Sequence, residues 1–263
     1  MKLHFYKYHG TGNDFIMLRK DSELKILTEK QIAHLCHRHF GIGADGLIEL
    51  YVNESGELFM TYYNSDGREA SMCGNGGRCF AAFAFHQQLS GTSCHFTAID
   101  GLHQATITEH NNLNCTILLQ LSDVNNIQQL SKNIFVLNTG SPHYVRFEKN
   151  VSNVDILAEG KKIRYSDDFA PEGINVNIVE EQQDSLFVRT YERGVENETL
   201  SCGTGVTASA LAYAFLQGTR NGEIPIHTLG GSLKVHYETV QGGFRQIMLE
   251  GPAMRVFEGE IEL

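Results

Sequence analysis

The chain has 263 residues, of which 41% are hydrophobic and 20% charged, and its formal net charge is −10 at pH 7. This composition is typical of a soluble globular protein with a sizeable core and excludes a largely disordered chain. The acidic balance and the lack of a lysine- or arginine-rich run argue against nucleic acid or an anionic membrane as a partner.

The opening residues, MKLHFYKYH, contain no continuous apolar stretch. No later apolar run approaches the roughly 20 residues that a membrane span needs. We therefore expect a cytoplasmic protein.

The predicted elements are short strands and two apolar helices. A helix is expected after Thr28, a good N-cap residue. Two alanine-rich stretches, 81–86 and 207–216, are apolar on nearly all faces and predict core helices, stopped by Gly91 and Gly218. Strand-like aromatic and β-branched content marks residues 3–8, 57–63, 105–108 and 186–191. The pattern predicts an α+β protein and not a dinucleotide-binding array.

Two segments resemble each other. Cys73-Gly74-Asn75-Gly76 and Cys202-Gly203-Thr204-Gly205 both precede an apolar helix, and the cysteines lie 129 residues apart (202 − 73). Weaker landmarks repeat at offsets of 128 (139 − 11) and 130 (231 − 101). We expect two pseudo-symmetric halves, 1–122 and 123–263, each a curved, mostly antiparallel sheet around a central apolar helix, with the active site in the cleft between them. The C-terminal tail could instead pack on the first half.

A cysteine at such a helix start has a definite chemistry. Unpaired N–H groups and the helix dipole bind anions and lower the pKa of a thiol. Two such starts would hold one carboxylate, with their sulfurs on opposite faces of its α-carbon. One sulfur would remove the α-proton while the other delivers a proton, which inverts the stereocentre without a metal or an organic cofactor.

Six cysteines also leave open a disulfide framework or a metal site. The chain length and apolar content argue against disulfides. The run from His34 to His39 superficially resembles a metal-ligand cluster, but it lacks an evident second group of ligands. The remaining thiols are most simply small buried residues: Cys36, Cys79, Cys94 and Cys115.

Six motifs in register resemble the diaminopimelate epimerase family over essentially the whole chain. They are His9-Gly10-Thr11-Gly12-Asn13-Asp14-Phe15, Arg38-His39-Phe40-Gly41-Ile42-Gly43-Ala44-Asp45-Gly46, Tyr63-Asn64-Ser65-Asp66-Gly67-Arg68-Glu69, Cys73-Gly74-Asn75-Gly76-Gly77-Arg78-Cys79, Tyr191-Glu192-Arg193-Gly194 and Cys202-Gly203-Thr204-Gly205. The resemblance implies epimerisation of LL- to meso-2,6-diaminopimelate, in lysine and peptidoglycan-precursor synthesis, by a homodimer without cofactor or metal.

The resemblance also implies the site residues. Cys73 and Cys202 would be the acid/base pair, with His143 and Glu192 supporting catalysis. Substrate would be held by the backbone amides of Gly74, Asn75, Gly203 and Thr204 and by the side chains of Asn13, Asn64, Asn175, Glu192 and Arg193. Many family members have asparagine at the position of Ser141 and glutamine at that of Gly46, so recognition of the distal end of the substrate would be arranged differently or through water.

Two other functions stay open. One is a two-thiol racemase or epimerase of the proline or hydroxyproline type. Asn64 and Glu192-Arg193 argue against it, because they suit a second zwitterionic end of the substrate, which such an enzyme would not need to bind. The other is a non-catalytic protein that binds amino acids.

Overall fold

The computed structural model describes residues 2–20 and 26–263 and has the expected α+β architecture. It consists of two compact units, Met1–Leu119 with Gly251–Leu263, and Gln120–Glu250. Residues 251–263 thus belong to the first unit. The described residues include no helix that is long and apolar enough to cross a membrane.

The first unit is built on a mixed sheet. β1 pairs with β2, β2 runs parallel to β3, β3 pairs with β4, and β6, β7 and β8 form an antiparallel meander. Its elements are β1 (Lys2–Gly10), β2 (Asn13–Lys20), α1 (Glu29–Cys36), β3 (Gly46–Val52), β4 (Leu58–Asn64), β5 (Glu69–Ala70), α2 (Gly74–His86), β6 (Ser93–Ala98), β7 (Gly101–His110) and β8 (Asn114–Gln120).

The second unit repeats this order of pairings. β10 pairs with β11, β11 runs parallel to β12, β12 pairs with β13, and β15, β16 and β17 form an antiparallel meander. Its elements are β9 (Ile127–Ser131), β10 (Ile134–Asn138), β11 (Pro142–Phe147), a 3₁₀ turn (Val151–Asn153), α3 (Ile156–Arg164), β12 (Asn175–Glu181), β13 (Leu186–Glu192), β14 (Asn197–Thr199), α4 (Gly203–Gln217), β15 (Asn221–Thr228), β16 (Gly231–Val240) and β17 (Gly243–Glu262). The end of β17 pairs with β1 and β8 inside the first unit.

The recurrence of the pairings confirms the internal repeat. In each unit the repeat places one apolar helix, α2 or α4, directly after a cysteine. The four strands predicted from composition are confirmed in β1, β4, β7 and β13, although β4 begins at Leu58, one residue later than predicted.

Local sequence explains where the helices begin and end, with one exception. Thr28 caps α1 through a capping box with Gln31, and Gly218 ends α4 in the left-handed region at φ 64°. The expected stop of α2 at Gly91 is wrong: α2 ends at His86, and Gln88 takes the positive φ of 59°. The helix ends earlier because Gln88 takes the left-handed conformation in place of a glycine, and the Leu89 amide bonds back to the Ala84 carbonyl at 2.9 Å.

Both central helices are buried on nearly every side. α2 buries residues 74–84, and in α4 ten residues between Gly203 and Ala214 are buried, which include Val206 and Leu211. Burial all round follows from the alanine-rich sequences and places the first turn of each helix deep in its own unit.

Candidate active site

Cys73 is the N-cap residue of α2. Its backbone is extended, its sulfur lies 3.2 Å from the amide nitrogen of Gly76, and its carbonyl accepts from the Gly77 amide at 2.8 Å. A Cβ at position 76 would lie 3.2 Å from this sulfur, so glycine permits the close approach of thiol and backbone. The sulfur is therefore directed at the positive end of a helix, which favours a thiolate.

Cys202 occupies the same position on α4. It is the N-cap residue, with an extended backbone and a carbonyl that accepts from the Val206 amide at 2.9 Å. Its side chain is buried, and its sulfur lies 3.5 Å from Oγ1 of Thr204. Each unit thus carries a thiol at the start of a buried helix.

Arg78, which the sequence reasoning did not single out, is a fully buried cation one turn after Cys73. Its guanidinium donates to Gly74 O at 3.1 Å, Asn75 Oδ1 at 3.0 Å and Thr11 Oγ1 at 3.3 Å. Burial lowers the pKa of Arg78 to about 10, against the opposing charges of nearby thiols, so it stays cationic at neutral pH. Within residues 2–20 and 26–263 no carboxylate pairs with it. The sequence signal was one arginine inside an otherwise apolar helix.

Asn13 and Asn75, both predicted to bind substrate, are in contact. The Asn75 amide donates to Asn13 Oδ1 at 3.2 Å, and the Asn13 amide donates to Asp45 at 2.8 Å. Because Asn75 Oδ1 accepts from Arg78, the amide orientation of both asparagines is determined.

An ion-pair cluster supports this arrangement. Asp14 pairs with Lys7 at 2.7 Å and receives two hydrogen bonds from Arg38, which also binds Asp45. Burial on its own would raise the pKa of Asp14, but the hydrogen bonds and charges of Arg38 and Lys7 outweigh it and lower the pKa to about 2.

Asn64 lies exposed at the end of β4. The Tyr62 hydroxyl donates to its Oδ1 at 2.9 Å, which leaves the Asn64 amide hydrogens for a ligand acceptor. A Cβ at Gly46, on the neighbouring strand, would lie 2.6 Å from the Tyr62 ring. Tyr62 therefore fills the space that a side chain at position 46 would need.

Asn175, Glu192 and Arg193 come together in the second unit. The Arg193 backbone amide donates to Asn175 Oδ1 at 2.9 Å. Glu192 ends β13, and both it and Arg193 are half-buried. In the described part of the chain no ion pair involves Arg193, so its guanidinium is available to an anionic ligand.

His143 is fully buried on β11. Its Nε2 lies 2.9 Å from Ser141 Oγ and its Nδ1 lies 3.1 Å from the Asn177 amide nitrogen. Burial, assisted by the charge of Arg193, lowers the pKa of His143 to about 3. The histidine is therefore neutral and interacts with Ser141 and Asn177 through hydrogen bonds.

The remaining candidates are structural. Burial raises the pKa of Cys36 to about 12 and those of Cys94 and Cys115 to about 11, and it also raises the pKa of Cys79. These four buried thiols agree with the sequence prediction.

The histidine run from His34 to His39 is engaged in local hydrogen bonds, since His37 Nδ1 accepts from the backbone amides of His39 and Phe40. Over the described ranges no group of three or more His, Cys, Asp or Glu side chains is placed to hold a metal ion.

Solved structures share the fold. A phenazine biosynthesis protein of the PhzF family from Bacillus anthracis aligns over 100% of both chains, with a TM-score of 0.76 and 16% identity. A hydroxyproline epimerase from Agrobacterium vitis covers 100% of this chain and 93% of its own, with a TM-score of 0.70 and 13% identity. At these identities the likeness concerns the fold alone.

Sequence comparisons are more specific. The family model for diaminopimelate epimerase matches residues 5–120 and 135–256. A diaminopimelate epimerase of Flavobacterium psychrophilum is 49% identical over 265 residues, which is 99% of this chain and 100% of the relative. One from Chlorobaculum tepidum is 38% identical over 97% of this chain and 99% of its own. The chain therefore belongs to the diaminopimelate epimerase family, as its six motifs predicted.

Proposed function

We propose that this protein converts LL-2,6-diaminopimelate to meso-2,6-diaminopimelate with Cys73 and Cys202 as the acid/base pair. The observation that carries the proposal is that each unit presents a cysteine as the N-cap of a buried apolar helix. Family membership supports the substrate, and the chemistry of a helix start supports the roles of the thiols.

In the proposed reaction one cysteine, as a thiolate, takes the α-proton and becomes a thiol. The electron pair left on the carbon spreads into the adjacent carboxylate, whose added charge is stabilised by the amides of Gly74, Asn75, Gly203 and Thr204. The other cysteine delivers its proton to the opposite face of the carbon and becomes a thiolate. One proton enters and one leaves, so the thiols exchange roles and the centre inverts.

The types of four polar side chains support recognition of the distal end. The Asn64 amide, the second amide hydrogen of Asn13 beside its bond to Asp45, and the Arg193 guanidinium are suited to a carboxylate, and Glu192 is suited to an ammonium group. Asn175 holds the backbone of Arg193 and would position that side chain. A substrate with two zwitterionic ends matches this set better than proline, which has one.

Three further properties belong to the proposal: a homodimer, a cytoplasmic location, and a place in lysine and peptidoglycan-precursor synthesis. Diaminopimelate, a small molecule, is the partner proposed, with no nucleic acid or membrane.

Isotope exchange tests the function. Incubation with LL-diaminopimelate in deuterated water should yield the meso isomer with deuterium at one α-carbon. Exchange with proline or hydroxyproline but not with diaminopimelate would support the rival epimerase. Absence of exchange with every amino acid tested would indicate a binding protein.

A further inference from the structure

A chain of polar side chains leads from the core of the second unit to Cys202. It runs from Asn177 through His143, Ser141 and Thr204 to the sulfur. The successive contacts measure 3.1, 2.9, 3.2 and 3.5 Å. Since the outer groups have defined donors and acceptors, the direction of each bond can be worked out.

The first two directions follow from Asn177. Its Oδ1 accepts from the Thr190 hydroxyl at 2.9 Å, and its amide nitrogen donates to the Tyr144 carbonyl at 3.0 Å. The same nitrogen faces His143 Nδ1, which must accept. Neutral His143 therefore carries its proton on Nε2 and donates it to Ser141 Oγ. Burial of His143 keeps the ring neutral.

Asn175 determines the next direction. Its Oδ1 accepts from the Arg193 backbone amide at 2.9 Å, so its nitrogen is the atom that donates to Ser141 Oγ at 3.2 Å. Ser141 Oγ now accepts two hydrogen bonds, one from His143 and one from Asn175. Both of its lone pairs are used, and its own hydrogen is directed at Thr204 Oγ1, 3.2 Å away.

Thr204 is held in place for the last step. Its carbonyl accepts from the Thr139 hydroxyl at 2.9 Å, which anchors its backbone in the first turn of α4. With one lone pair of Oγ1 occupied by Ser141, its hydroxyl hydrogen remains for the Cys202 sulfur. A thiolate has no proton to give, so at the 3.5 Å contact Thr204 must be the donor whenever Cys202 is ionised.

We propose that Ser141 and Thr204 form an oriented hydroxyl relay that directs a hydrogen bond at the Cys202 sulfur and stabilises its thiolate. The proposal rests on the acid/base role of Cys202 and deepens it: Thr204 is the donor, and Ser141 and His143 are positioning residues. Ser141 has the single donor and the two acceptor sites that this path requires.

His143 on β11 is neutral, and among the described residues the charged group that acts on it is Arg193, directly after β13. Substitutions that remove the hydroxyl group of Ser141 or Thr204 leave this charge in place. A change in the ionisation of Cys202 would then reflect the loss of the hydrogen bond from Thr204.

The test measures the rate at which iodoacetamide alkylates Cys202 across a pH series, with peptide mapping to separate it from Cys73. We expect Thr204→Val and Ser141→Ala to raise the pH midpoint for Cys202 by about one unit, which is about a tenfold loss of thiolate below the midpoint. Thr204→Ser keeps the hydroxyl and should match the wild type within about twofold. Cys73 serves as the internal control and should keep its midpoint in every variant.

Three results would overturn the relay: an unchanged Cys202 midpoint in Thr204→Val, a shift in Thr204→Val without one in Ser141→Ala, or an equal shift at Cys73. Thr204→Ala replaces the valine variant if that protein fails to fold, which thermal melting would reveal. The readout does not require turnover. A wild type inactive on diaminopimelate counts against the proposed function, whereas the alkylation profile alone decides the relay.

Discussion

The ring of Tyr62 lies where a side chain at Gly46 would have to go: a Cβ at position 46 would be 2.6 Å from Cε2 of Tyr62 and 3.2 Å from its hydroxyl oxygen. That hydroxyl donates to Asn64. Glycine at position 46 thus leaves room for Tyr62 on the adjacent strand, and Tyr62 orients Asn64, a proposed substrate-binding residue.

Tyr62→Phe should raise the KM for LL-diaminopimelate about fivefold and change kcat less than twofold. The lost hydrogen bond, about 1 kcal/mol, lets the Asn64 amide rotate and weakens ground-state and transition-state binding alike. Tyr51→Phe, on the exposed side of β3, is the matched control. Steady-state kinetics with an unaltered KM in Tyr62→Phe would show that Tyr62 does not position Asn64.

Gly46→Gln should destabilise the fold by about 1–3 kcal/mol, because the new side chain meets Tyr62 and the carbonyl oxygen of Tyr63, also 2.6 Å from the Cβ position. Urea unfolding measures the change. Gly91→Gln is the control, since a Cβ there has no atom within 4 Å among the described residues. Equal stabilities of the two variants would contradict the packing argument.

Cys73→Ala and Cys202→Ala should each abolish epimerisation while leaving the melting temperature near that of the wild type, because either change removes one of the two proposed proton carriers. Serine variants should retain slow exchange at most, since a hydroxyl is a poorer base. Deuterium incorporation from solvent is the measurement. Cys94→Ala, at a buried position of β6, is the control and should keep the activity of the wild type. Full activity in Cys73→Ala or in Cys202→Ala would contradict the two-thiol mechanism.

Arg193→Met should lower kcat/KM for diaminopimelate about 30-fold, which corresponds to about 2 kcal/mol for a lost charge-assisted hydrogen bond. Arg245→Met, which removes an exposed partner of Glu238, should leave kcat/KM unchanged. Similar kcat/KM values for the two variants would show that Arg193 does not bind the substrate.

Asp14 should make stability depend on pH in the acid range. Its pKa in the folded protein, about 2, lies below the unfolded value of 3.8, so its contribution is complete above about pH 4 and is lost as the pH falls toward 2. The difference corresponds to about 2 kcal/mol. Denaturant unfolding of Asp14→Asn should show a weaker loss of stability between about pH 4 and pH 2 than the wild type does. Parallel curves for the two proteins would show that Asp14 has no such role.

Sequence alone determined the features that depend on neighbours along the chain. A cysteine, a glycine turn and an alanine-rich run specify the starts of α2 and α4, because capping and helix burial are encoded within a few residues. The repeat offset of 129 residues (202 − 73) likewise predicted two halves of similar fold. The same local logic failed at Gly91, because Gln88, a residue that rarely adopts a positive φ, ends α2 in the left-handed conformation that glycine was expected to supply.

Tertiary structure decided what depends on residues far apart in the chain. Arg78 reaches Thr11 across 67 positions, Thr204 meets Ser141 across 63, and Tyr62 covers Gly46 from the next strand. Likewise, burial keeps His143 neutral, and the Asn177 amide, 34 positions away, places its proton on Nε2. No periodicity or motif encodes these contacts, because hydrogen-bond direction and burial arise only when the strands and helices are packed together.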